Sequence, residues 1–338
     1  MIGMMNKGVK PLLLILILFV SLVIALTSGK YSLTLDELYR LFASLFSSQV
    51  DVSDPRNETV FWQIRFPRTL AAIIIGGGLS IAGAAYQGMF RNPLVSPDIL
   101  GVSAGAGVGA VVGIFFGQSL IYIQLAAFIG GLITVAIVCF IARLARQHDP
   151  ILSLVLVGVA ISAICGSAIS LMKILADPYT QLPSITFWLL GGLSSITQED
   201  LLSVLPLMLI GIIPLLLLRW RMNLLSLSDE EAKSLGVNVG LTRAIFIVCA
   251  TLLTASAVSI AGIIGWIGLI VPHITRMIVG ANFRYQLPAS LAIGAIMLLI
   301  TDTLARTIAA IELPLGILTS AVGAPFFLAI LLQTRRVK

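Results

Sequence analysis

Apolar residues run through this chain in long blocks separated by short polar connectors. The blocks lie at approximately 11–28, 67–90, 98–117, 120–142, 151–175, 198–218, 242–263, 266–281, 287–309 and 314–333. Most reach the ~18–20 residues that an α-helix needs to cross a hydrocarbon core about 30 Å thick. No water is available there for backbone N–H and C=O groups, so each block is read as a self-bonded helix. The alternating ten-residue segments of a membrane barrel are absent. The pattern predicts an all-α integral membrane protein of about ten transmembrane helices, with 1–338 as a single domain. The eighth block is the least regular, being short and interrupted by Arg276 and Gly280. The first follows Lys7 and Lys10 and has the length of a leader; no small-x-small cleavage site follows, and it is read as a retained span.

The longest polar connector, about 29–66, contains its own amphipathic pattern. Thr34 and Glu37 have capping-box spacing, and Leu38, Leu41, Phe42, Leu45 and Phe46 make one apolar stripe, predicting an external helix over about 34–46. Within the spans, small residues recur every four positions: Ala72, Gly76, Ser80, Ala84 and Gly88 in one, Gly101, Gly105, Gly109, Gly113 and Gly117 in the next. Such ridges let helix backbones approach closely, and tight packing is the expected use. A weak internal repeat relates 79–101 to 258–280 through a shared Ser-Ile-Ala-Gly, Pro93 with Pro272, and Gly101 with Gly280. Five predicted spans separate the copies, so the repeat is inverted, an arrangement common in transporters.

Composition agrees: 58% of the residues are hydrophobic and 11% charged, against about 25% charged in soluble domains. The net charge of +6 is not a nucleic-acid signal, because the basic residues are scattered at span ends. With the amino terminus inside, 14 of the 21 Lys and Arg residues fall on cytoplasmic segments, which predicts a multi-pass protein with both termini cytoplasmic. Cys139, Cys165 and Cys249 lie in apolar runs without metal-ligand spacing, and His148 and His273 have no partner at such spacing. No catalytic constellation emerges, and no metal or cofactor is expected in this chain.

The most informative polar stretch is 225–240, between the sixth and seventh spans. Ser228 and Glu231 form a capping box, Asp229 and Glu230 place negative charge in the first turn, and Gly236 is suited to end the helix. A short helix capped at both ends holds its shape in a loop and can transmit force from a partner. The segment resembles the coupling loop of the FecCD family, the permeases of binding-protein-dependent importers of metal chelates and vitamin B12. Other patterns of that family follow in order: "RFPRTLAAIIIGGGLSIAGAAYQGMFRNPLVSPDILGVSAGAGVGA" (65–110), "GLIVPHITR" (268–276), "DTLAR" (302–306) and "ELPLGILTSAVGAPFFLAILL" (312–332). Within the family the chain looks close to the molybdate and tungstate permeases.

The resemblance implies a permease homodimer in the bacterial inner membrane, two separate ABC ATPase subunits that bind ATP and Mg, and an external substrate-binding protein. The chain has no G-x-x-x-x-G-K-[ST] loop of its own, so the energy source is expected on another polypeptide. The resemblance assigns ATPase coupling to Ser228, Asp229, Glu230, Glu231, Ala232, Leu235 and Gly236. It assigns docking of the binding protein to Arg65, Arg68 and Arg306, which also fall at predicted external span ends; snorkelling anchors are the competing reading. "RNPL" and "HDPILS" resemble the two inner gate segments, making Asn92, Leu94, Asp149, Pro150, Ile151 and Leu152 gate candidates, with helix-ending turns as the alternative.

Asp302 and Arg306 are four apart and are expected to pair within the membrane. An acid in a span costs about 2.5–3.5 kcal/mol at the centre and marks a functional candidate, either orienting Arg306 or serving as a proton site. The second possibility keeps an ion- or proton-coupled secondary carrier as the alternative to an ATP-driven importer. Iron–siderophore, haem, cobalamin and molybdate-type cargo all remain open at this point.

Overall fold

The computed structural model describes residues 9–44, 54–145 and 150–334. Helix α1 (Val9–Thr27) is followed by α2 (Leu35–Ser44) and α3 (Pro55–Glu58), and α3 passes through a π-helical stretch, Thr59–Arg65, into α4 (Phe66–Met89). After a 3-10 turn at Pro97–Leu100 come α5 (Val102–Phe115), α6 (Leu120–Leu144), α7 (Pro150–Leu175), α8 (Gln181–Leu190) and α9 (Gln198–Leu217). The remainder is α10 (Arg219–Leu225), α11 (Asp229–Ser234), α12 (Val239–Ala261), α13 (Ile267–Val279), α14 (Phe283–Thr307) and α15 (Leu315–Thr334). Six helical stretches are long and apolar enough to cross a membrane, and α1, α5, α13 and α15 supply four shorter apolar helices, ten in all among the described residues. The eighth block, irregular in sequence, is the short helix α13.

The spans do not share burial equally. Helices α4 and α12 are largely enclosed, whereas α6, α7 and α9 expose most of their apolar surface. Small residues explain the centre. Ala72, Gly76, Ser80, Ala84 and Gly88 are all buried along α4. A Cβ on Gly76 would lie 2.4 Å from the Gly294 carbonyl oxygen of α14, and one on Gly83 would lie 1.8 Å from that of Gly268 in α13. Backbone meets backbone there, as glycine alone permits. Gly105 and Gly109 of α5 back onto Gly130 and Ala126 of α6 in the same way. Gly101 and Gly117, the ends of that ridge, fall outside α5, which is shorter than the predicted span.

Two connectors differ from expectation. The 29–66 segment is more helical than predicted, because Asp54 accepts from the Arg56 N–H and Pro55 opens α3, extending the second span outward. The segment after α7 contains α8, whose ten residues are too few to register as a span. Helix α2 has the expected Thr34–Glu37 box, and it packs on the bundle: Leu38 and Leu41 are buried with Leu26, Leu33 and Phe61. Leu45 and Phe46 lie outside the described residues.

Candidate functional site

Both faces of the bundle carry polar constellations. On one face, α11 is built as its sequence dictates. Ser228 Oγ accepts from the Glu231 N–H at 3.2 Å, and Glu231 Oε2 accepts from the Ser228 N–H at 2.9 Å. At the other end Val237 N–H donates to the Ala232 carbonyl at 3.1 Å and Gly236 N–H to that of Lys233 at 2.9 Å. With Gly236 at φ 80°, this is a Schellman cap, stapled by buried Ala232 and Val237. The Ser228 N–H and hydroxyl hold the Glu231 carboxyl below the usual carboxylate range. Glu230, Glu231, Lys233, Ser234 and Leu235 face outward, and Leu235 leaves 59% of its surface exposed.

Asp229, the first residue of α11, points inward. Its Oδ1 lies 2.6 Å from Arg91 Nη2 and 3.1 Å from Arg243 Nη2. Burial would raise its pKa, but the hydrogen bonds and charge of Arg243, then of Arg91, hold it below the ordinary value. Arg91 also donates through Nε to the Leu225 carbonyl at 3.1 Å. Neither arginine stood out in the sequence beyond its contribution to charge asymmetry, since they lie 138 and 14 residues from Asp229.

The gate candidates adjoin this assembly. Asn92 Oδ1 accepts from the Leu94 N–H at 2.9 Å, which tightens the 92–94 turn, and Leu94 is 49% exposed. Pro93 and Leu94 line a small cleft with Leu269, Ile270, His273, Phe326 and Phe327. Pro150 and Leu154 border a cavity of about 580 Å³ together with Arg143, Asp229, Lys233 and Arg243. Ile151 is half-buried and Leu152 exposed, while Asp149 lies outside the described residues.

On the opposite face sit the three arginines that the family resemblance assigns to docking. Arg65, Arg68 and Arg306 are 4%, 6% and 7% exposed, each held by partners within the chain. Arg306 donates to the Ala25 and Ser28 carbonyls at 2.9 and 3.1 Å, and Arg65 to those of Leu26 and Tyr31. The physical reason is the end of α1, whose last carbonyls lack intrahelical partners and carry the negative pole of the helix dipole. The π-helical stretch ends at Arg65, so that side chain enters at the head of α4.

Arg68 is satisfied by acids instead. Its Nε lies 2.9 and 3.1 Å from the two Asp302 oxygens, and its Nη1 3.0 Å from Glu312 Oε2. Asp302 also lies 3.2 Å from Arg306 Nε, an ion contact at an angle that leaves this nitrogen without a hydrogen bond. Glu312 was not singled out in the sequence; its carboxylate is 37% exposed and lines a 290 Å³ cavity with Arg68, Gln124, Ser184, Ser194 and Ser195.

Comparison with known proteins agrees with this architecture. Residues 14–333 match the FecCD transport family. The molybdate import system permease protein MolB of Haemophilus influenzae is 39% identical over 325 residues, 96% of this chain and 95% of that protein. The hemin transport system permease protein HmuU of Yersinia pestis is 37% identical over 338 residues, 98% of each chain. A solved structure of a metal-chelate type ABC transporter in an inward-facing conformation superposes with a TM-score of 0.86 at 38% identity, covering 97% of this chain and 100% of that one.

Proposed function

The chain belongs to the FecCD transport family, and from that premise we propose that it is the permease of a binding-protein-dependent ABC importer, moving a metal chelate or metal oxyanion by alternating access. The observation that carries the proposal is α11. It is rigid at both ends and outward-facing on one side, and its first residue is bonded to the turn that precedes Leu94. An ATPase pressing on such a helix moves a body rather than deforming a loop. The α11 face is then cytoplasmic, and the start of α1 and the end of α15 lie on it.

A second copy of the chain completes the pathway. On α7, Ala163, Gly166, Ser167 and Ser170 recur at helical spacing and are exposed, a small and weakly polar face suited to another helix rather than to lipid. The named relatives are permeases for molybdate and hemin, which supports a cargo among metal-containing anions and chelates. The binding protein, more than the permease, selects among them. It docks on the arginine face, where Arg68 is paired with a carboxylate, Glu312, that is partly exposed; an incoming carboxylate exchanges with that partner.

The decisive experiment is cargo uptake into proteoliposomes holding this chain, its ATPase and the loaded binding protein. Uptake that requires ATP hydrolysis and survives an ionophore is expected. Uptake by this chain alone, abolished by the ionophore, would establish a secondary carrier instead.

A further inference from the structure

We infer that Arg91 and Arg243 are positioning residues that carry movement of α11 to the pathway, with Asp229 as their shared joint; the inference rests on the importer reading above. Asp229 is the only acid bonded to either guanidinium among the described residues. Its two arms end on different bodies. Arg91 stands immediately before the 92–94 turn, and Arg243 rises from the first turns of α12, one of the two most enclosed spans.

The first arm is hydrogen-bonded at each step. Arg91 has a positive φ of 52°, a conformation uncommon outside glycine, so its side chain leaves the backbone in a restricted direction. That side chain reaches the Leu225 carbonyl and Asp229, gripping the chain on both sides of the connector into α11. On the pathway side, Asn92 N–H donates to the Gln87 carbonyl at 3.1 Å, and the Asn92 side chain fixes Leu94. A displacement of Asp229 therefore reaches Leu94 through bonded groups.

The second arm is a fork. Arg243 Nη1 and Nη2 lie 3.3 and 3.1 Å from the two Asp229 oxygens, and the side chain is only 11% exposed. Arg143 and Lys233 line the same cavity, but the cations in contact with the Asp229 carboxylate are Arg91 and Arg243. Without Asp229 the neighbouring cations would repel, and α11 and the 92–94 turn would separate.

A static brace would also show these bonds, so the test must read movement. In the assembled complex, with Cys139, Cys165 and Cys249 replaced by alanine, a single cysteine is placed at Leu94. Its labelling by a membrane-impermeant maleimide from the α11 face is timed without nucleotide and with ATP–vanadate. The wild-type arms should give a several-fold difference between the two states. Arg91→Ala and Arg243→Gln should bring the ratio toward one, by about fivefold if the link is worth ~1 kcal/mol. Arg91→Lys, which keeps the charge and loses the Leu225 bond, should fall between.

ATPase retained on the permease is measured in the same preparations and should be unchanged in the variants. Unaltered ratios in Arg91→Ala and Arg243→Gln, on a complex that responds to ATP, overturn this inference and leave the importer reading intact. Loss of the ATPase in step with the response overturns it in favour of a brace. A complex whose wild-type arms transport without any ATP dependence overturns the importer reading itself.

Discussion

Replacing Asp302 by alanine removes the one carboxylate that both Arg68 and Arg306 reach. The two arginine side chains are 7% and 8% exposed, so neither can recover its solvation by turning outward. Arg68 would keep Glu312, whereas Arg306 would retain only the carbonyl oxygens of Ala25 and Ser28 and the Thr303 hydroxyl. Breaking a buried ion pair from one side costs about 3–5 kcal/mol, because a charge is left uncompensated. For a chain of 338 residues we expect a fall of roughly 4–7 °C in Tm. The assay is retention of a monodisperse peak after heating in detergent, at one fixed heating time. Asp302→Asn preserves the shape and an acceptor, so it should lie between wild type and alanine. Its uptake per assembled complex should remain near wild type, whereas a proton site would lose uptake altogether. A drop below ~2 °C for Asp302→Ala would refute the cluster as a latch, and abolished uptake in a thermally normal Asp302→Asn would refute it as merely structural.

Ser228→Ala should cost α11 about 1 kcal/mol of capping and lower uptake more than membrane expression, while Ser228→Asp should restore both; uptake normalised to expressed protein checks this. Glu312→Gln frees Arg68 Nη1 for an incoming carboxylate, so the binding protein should associate faster, and more so at low salt; identical stopped-flow traces at two ionic strengths would exclude Arg68 as its contact. Gly83→Ala drives a methyl group into the Gly268 carbonyl and should cost about 1–3 kcal/mol or more, whereas Gly166→Ala, with open space around it, should leave monomer stability unchanged; thermal retention compares the two. The Asp229 pKa is depressed in the folded chain, so its contribution is present above the ordinary carboxylate range and lost as pH falls through the lower folded value. The nucleotide-dependent change in Leu94 accessibility should therefore be flat between about pH 5 and 8 and shrink only below about pH 4.

What could be read from sequence divides along a physical line. The ten apolar helices were legible because crossing a membrane imposes a length and a polarity that each segment must meet alone. The caps of α11 were legible for a similar reason, since Ser228, Glu231 and Gly236 act on backbone groups within a few residues. Helix α8 was not: its N-cap residue, Thr180, makes no side-chain capping bond, and its ten residues fall below the length at which hydropathy speaks. The arginines mark the limit of local reading. Their identity and their place at span ends are visible, but the partners that bury them are not. Arg68 is held by Glu312 from 244 residues away, and Arg306 by carbonyls, which no side-chain pattern announces.

Asp229 shows how one residue carries both kinds of information. Locally it is a negative charge in the first turn of a helix, which is all that spacing can say. In the folded chain it is also the acceptor for two guanidiniums from α12 and the end of α4. The dipole would be served nearly as well by Glu230, which is exposed and forms no ion pair among the described residues. The position of Asp229 is therefore demanded by the long-range bonds rather than by the helix. A residue that satisfies a local rule and a distant one together is the joint through which this loop can act on the rest of the molecule.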